Sequence, residues 1–143
     1  MNNEILFTAK LANNNGWVVG PSVGIFPDGY SVIGVYEKPQ HGIGSIVWKE
    51  INQDTLCRYS GQKDINNKEI FENFLIQFEY EDDCLPAGKG KCIGVVVFEN
   101  GCFVVKEPGS NYECEKPLTL AEWLEDECTI VGNIFDNQEL WKK

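Results

Sequence analysis

Short apolar runs separated by turn-forming residues dominate the chain. Ile5 to Ala9, Trp17 to Gly20, Val23 to Phe26 and Tyr30 to Tyr36 read as strands, rich in branched and aromatic residues. Pro27-Asp28-Gly29 lies between the last two, and Asp-Gly between such runs signals a hairpin. Ile43 to Trp48 reads as a further strand weakened by Gly44, and Ile51 to Arg58 as a connecting strand. Asp64 to Lys68 is a polar turn, and Phe74 to Tyr80 a strand. Glu81 to Lys91 reads as a charged loop. Cys92 to Phe98 and Cys102 to Lys106 flank Asn100-Gly101, a pair suited to a type I′ turn because both residues accept positive φ. Thr119 to Glu122 fits a capping box, which predicts a helix from about Leu120 to Glu127 with Leu120, Trp123 and Leu124 on one face. Cys128 to Ile134 is a last strand, and Asp136 to Leu140 opens a final helical turn.

Strands and turns without intervening long helices predict a mainly β fold of antiparallel sheets, with one or two short helices. The chain reads as one compact unit or as an N-terminal β region, 1–56, followed by a second region, 57–143. With 143 residues and 43% hydrophobic content it can bury a core.

Charge narrows the partners. The chain carries 22 acidic and 12 basic residues, a formal net charge of -10. Such a surface repels phosphate, and no basic stripe offsets it, so direct nucleic-acid binding is not expected. Lys89 and Lys91 are the nearest approach to a basic cluster, beside Glu79, Glu81, Asp82 and Asp83. No leader-like or membrane-spanning apolar run is visible, which predicts a cytoplasmic protein without a membrane partner.

Candidate chemistry is sparse. Six cysteines (Cys57, Cys84, Cys92, Cys102, Cys114, Cys128) contain no C-x-x-C pair, and His41 is the single histidine, so a zinc site lacks its usual spacing. The cysteines read as reduced, structural thiols. Asp64-x-Asn66-x-Lys68 begins like a calcium loop, but Lys68 and Leu75 stand where oxygen ligands belong. His41-Gly-Ile-Gly44 lacks a phosphate-loop pattern, and Ser22 and Ser60 lack a nucleophile-elbow context. No cofactor, metal or catalytic residue is predicted. Trp17 and Trp48 are the candidate interface residues, aromatics being enriched at interfaces; Trp123 reads as core.

One ordered set of motifs is more specific. It comprises Ile5-Leu-Phe-Thr-Ala-Lys10, Gly16-Trp-Val-Val-Gly20, Asp54 to Gly61, Lys63-Asp64 through Lys68-Glu69-Ile70-Phe71-Glu72, and Val131-Gly132-Asn133-Ile134-Phe135-Asp136-Asn137 followed by Glu139-Leu140. Together these resemble the YopX family, small proteins linked to phages and prophages. The resemblance implies a mainly β fold, with an SH3-like small barrel and a short C-terminal helix in the 57–143 region, and a propensity to self-associate. It brings no established activity. The chain departs from the family's usual residues at Ser60, Gln62, Asn67 (usually Gly) and Asn73-Phe74 (often Gly-Asp). Asn67 must therefore adopt the positive φ that glycine would supply. The functional expectation is a non-enzymatic, homo-oligomeric interaction module of a phage or prophage region, acting in the host bacterial cytoplasm. Two alternatives stand beside it: an acidic decoy for a host nucleic-acid-binding protein, and a small-molecule or nucleotide-binding enzyme.

Overall fold

A computed structural model describes residues 5–14, 16–81, 84, 86, 88–106 and 128–141. The architecture is mainly β, with antiparallel sheets and a curled, half-barrel sheet. The chain divides into two compact units, Met1–Tyr59 and Ser60–Lys143.

In the first unit, β1 (Phe7–Lys10) and β2 (Trp17–Gly20) pair antiparallel, with Phe7 opposite Gly20 and Lys10 opposite Trp17. β1 also pairs with the start of β6 (Cys57–Lys63) through Phe7 and Thr8. A meander follows: β3 (Ser22–Ile25), β4 (Ser31–Glu37) and β5 (Ser45–Glu50), with β4 central. Alternation along the strands sends one set of side chains inward. Ala9, Ile33 and Ile51 are buried together, with Phe7, Val18, Val23, Val35 and Leu56 packed against them. The Phe26–Tyr30 turn closes the β3–β4 hairpin at Asp28-Gly29, where Gly29 takes φ 90°.

The connecting strand expected over 51–58 is instead a 3-10 turn, Gln53–Thr55, leading into β6. Local side chains explain the difference. Asn52 Oδ1 accepts from the Asp54 N–H (3.1 Å), and the buried Thr55 hydroxyl donates to Asn52 O (2.7 Å) while accepting from the Lys10 N–H (2.8 Å). Short polar side chains that capture nearby backbone groups compete with strand pairing.

In the second unit, β8 (Phe74–Glu81), β9 (Lys89–Glu99), β10 (Cys102–Lys106) and β11 (Cys128–Asn133) form a sheet in the order β10-β9-β8-β11. β7 (Glu69–Phe71) is a strand of three residues. Ile70, Ile76, Val96, Val105 and Cys128 form the core. Leu75 and Ile76, Val95 and Val96, and Val104 and Val105 are buried as consecutive pairs, so both faces of the sheet are covered there. This is why the Val95-Val-Val97 run is continuously apolar rather than alternating. Asn100 (φ 52°) and Gly101 (φ 84°) make the expected tight hairpin.

The charged loop expected over 81–91 is shorter than its composition suggests. β8 extends to Glu81 and β9 begins at Lys89, with Glu79 opposite Lys91 and Glu81 opposite Lys89. Opposite charges facing each other across a strand pair favour the pairing, as the Glu79 and Lys91 positions do. The predicted 120–127 helix, Trp123, Cys114, Asp82 and Asp83 lie outside the described residues. A helical turn, Gln138–Trp141, ends the described chain.

Candidate interaction surface

The polar residues of the 64–68 turn bind the chain's own backbone. Asp64 is buried. Its Oδ1 accepts from the N–H groups of Asn66 and Lys68, both at 2.9 Å, and its Oδ2 accepts from the N–H of Ile130 at 3.1 Å. Asn67 takes φ 64°, as the replacement of glycine requires. The carboxylate that began the calcium-like motif is thus a clamp between a turn and β11. Cys128, whose carbonyl accepts from the Ile65 N–H at 3.0 Å, sits beside this clamp. Burial, and secondly the Asp64 charge, push its thiol pKa up to about 11. A thiol held neutral in this way is a poor nucleophile.

The second motif behaves alike. Gly132 has φ 155°, and a side chain there would meet Asn137 Oδ1 at 2.3 Å. Asn133 Oδ1 accepts from the N–H groups of Phe135 and Asp136, each at 2.9 Å, and Asn137 Oδ1 accepts from the Asn133 N–H at 3.2 Å. Asn73, standing where the family often has glycine, takes φ 69° and donates its N–H to Val96 O at 2.7 Å. Phe74, in place of an acidic residue, packs against Phe71 with the ring centroids 5.4 Å apart and the rings tilted by 51°. These motif residues therefore hold turns and strand ends together.

One solvent-facing sheet surface is apolar. On the side of the β3–β4–β5 meander opposite the core, Gly34 is opposite Trp48 and Tyr36 opposite Ile46. Tyr36, Ile46 and Trp48 are 59%, 48% and 55% exposed. Glycines explain how the rings lie. A side chain on Gly34 would touch Ile46 Cγ2 at 2.9 Å and the Trp48 ring at 3.1 Å, and one on Gly44 would collide with the Tyr36 hydroxyl at 2.0 Å and its ring at 2.3 Å. Each aromatic side chain thus lies over a strand or strand-end glycine while staying more than half exposed, as aromatic side chains shield strand glycines elsewhere. Near the hairpin end, Phe26 and Tyr30 stack at 5.7 Å, each about half exposed.

The two tryptophans chosen from the sequence are not brought together. Trp48 belongs to this face. Trp17 stands on β2, beside Val19 on the side turned away from Ala9 and Val18, with the Lys10 ammonium 5.6 Å from its ring. Tyr36 and Ile46 were missed, although their period-two spacing from Gly34 and Trp48 is a readable signal. A cleft of about 340 Å³ lies next to β5, lined by Leu11, Ala12, Asn13, Asn14, Lys49 and Glu50. His41 is exposed in the β4–β5 loop. Among the described residues, no group of three His, Cys, Asp or Glu side chains is placed to hold a metal ion, and no helix is long and apolar enough to cross a membrane.

These features define a class: a small antiparallel β protein whose motif residues maintain the backbone and whose solvent-facing sheet carries an aromatic and aliphatic face. Residues 26–142 match the model of the YopX protein family, and the chain belongs to that family. Comparison with curated proteins yields no match.

Proposed function

We propose that this protein is a non-enzymatic, self-associating interaction module, serving a phage or prophage region in the bacterial cytoplasm. The observation that carries the reading is the outward face of the β3–β4–β5 meander, where Tyr36, Ile46 and Trp48 lie side by side with roughly half of each side chain in water. Contiguous exposed apolar residues on a protein this acidic mark a contact surface, because burying them is favourable and none of the described residues covers them. The motif polar groups support the non-enzymatic part: Asp64, Asn133 and Asn137 are committed to backbone N–H groups. In this reading the curled sheet of the second unit is the core of an SH3-like barrel that acts as scaffold.

Size-exclusion chromatography with light scattering tests the proposal. A mass above that of one chain is expected, falling toward the single-chain value in Trp48→Ser and Tyr36→Ser. A single-chain mass for the native sequence at every concentration overturns it.

A further inference from the structure

β5 is the last strand of its sheet, and among the described residues β4 alone pairs along its length. The bonds at its end fix which way its backbone points. The Ile51 N–H donates to Ser31 O at 3.0 Å, so odd-numbered residues here turn their backbone groups toward β4. Glu50 O accepts from the Ala12 N–H at 3.1 Å, and the Asn52 N–H donates to Lys10 O at 2.8 Å, so even-numbered residues turn to the other side. The Leu11–Asn14 turn flanks β5 only at its Lys49–Glu50 end, and among the described residues nothing pairs with the outward N–H and C=O of Ile46 and Trp48. Edge strands are commonly protected by proline, a bulge or an outward charge. Ser45 to Trp48 has none of these, and the ammonium of Lys49 is 3.6 Å from the Glu37 carboxylate.

We propose that a second copy of the chain adds here, β5 against β5 antiparallel, about a two-fold axis at Val47. This rests on the self-association proposed above and names its contact. With Val47 opposite itself, Ile46 falls opposite the partner's Trp48 in both halves. Residues whose groups point across a pair exchange both N–H···O bonds, so every outward group of Ile46 and Trp48 is satisfied. The same pairing sets each Trp48 ring beside the partner's Ile46 on the exposed face, an aromatic–branched pair that favours sheet contact. Charge agrees with this choice. In a chain of net charge -10, Ser45 to Lys49 contains no carboxylate, and Lys49 falls opposite the partner's Ser45. Other registers fit less well. Centring on Trp48 sets Ile46 against the partner's Glu50, whose carbonyl Ala12 already occupies. Centring on Ile46 sets Trp48 against the partner's Gly44, outside the strand.

Val47→Cys tests the register. Directly opposed residues of a non-hydrogen-bonded pair have Cα atoms about 4.5 Å apart, within disulfide reach. Mild oxidation should give a covalent dimer whose linked peptides both carry position 47, identified by mass spectrometry; Ser45→Cys alone should give no such link at position 45. A second change, Ile46→Pro, keeps every bond of β5 to β4 while removing an outward N–H and the Ile46 side chain that would meet the partner's Trp48, so it should leave the chain folded and cut the yield of the position-47 link ~tenfold or more, whereas Ile46→Ala, which keeps the N–H, should cut it less. A multimer by light scattering without a position-47 disulfide overturns this register and leaves self-association standing. A single-chain mass overturns both. Undiminished linking in the Ile46→Pro background overturns strand pairing.

Discussion

Removing the Asp64 carboxylate should destabilise the second unit more than any other single polar change among its described residues. The carboxylate accepts three backbone N–H groups, two inside its own turn and one from Ile130, sixty-six positions away. Hydrogen bonds to a charged group contribute about 1.5–3 kcal/mol each. Water can resolvate the two turn amides in part, so Asp64→Ala should cost ~3–5 kcal/mol rather than the full sum. Asp64→Asn keeps an oxygen for the turn but sets an amide N–H₂ against the Ile130 N–H. It should cost ~1–3 kcal/mol, the penalty of one buried donor left unpaired. At about 3 °C per kcal/mol for a chain of this size, the alanine variant should melt ~10–15 °C lower. Urea denaturation followed by tryptophan fluorescence measures the change, with the slope against urea unchanged if only stability has moved. An alanine variant within ~1 kcal/mol of the parent, or one more stable than Asp64→Asn, would refute the clamp.

Three further outcomes are expected. Gly20→Ala should lower stability and disturb the first unit, because the new methyl would lie 2.1 Å from the Gly34 carbonyl oxygen, a backbone atom that cannot swing away; unchanged melting would contradict that close approach. Asn67→Gly should be nearly neutral while Asn67→Val should cost ~1–2 kcal/mol, since φ 64° suits glycine and penalises a branched side chain; equal stabilities in urea would contradict it. The Cys128 thiol is raised from 9.0 to about 11, so its burial contributes stability that is complete below pH 9 and lost as pH rises toward 11. Denaturation measured across that window should show a fall in the parent that is missing in Cys128→Ala, and parallel curves would refute it.

How much of this was readable beforehand follows from the range of the interactions. The Asp28-Gly29 and Asn100-Gly101 corners and the positive φ of Asn67 depend on adjacent residues, and local composition exposes them. The 53–55 turn was also local, but its signal lay in Asn52 and Thr55 side chains rather than in apolar spacing. The ends of β8 and β9 were obscured because Glu79, Glu81, Lys89 and Lys91 look like loop residues until they are set across from one another. Asp64 was visible as part of a motif, but its bond to Ile130 requires β11 to be brought alongside, which spacing alone does not show. Trp48 drew notice as an aromatic. Its neighbours Tyr36 and Ile46 become a surface only once the register of β4 and β5 joins them around Gly34 and Gly44.

Hydrogen exchange read at increasing protein concentration addresses the surface most directly. If copies meet along β5, the amides of Ile46 and Trp48 should exchange quickly in dilute solution and slow progressively as concentration rises, while those of Val96 and Val105 stay equally protected throughout. Exchange at positions 46 and 48 that is indifferent to concentration would contradict the account.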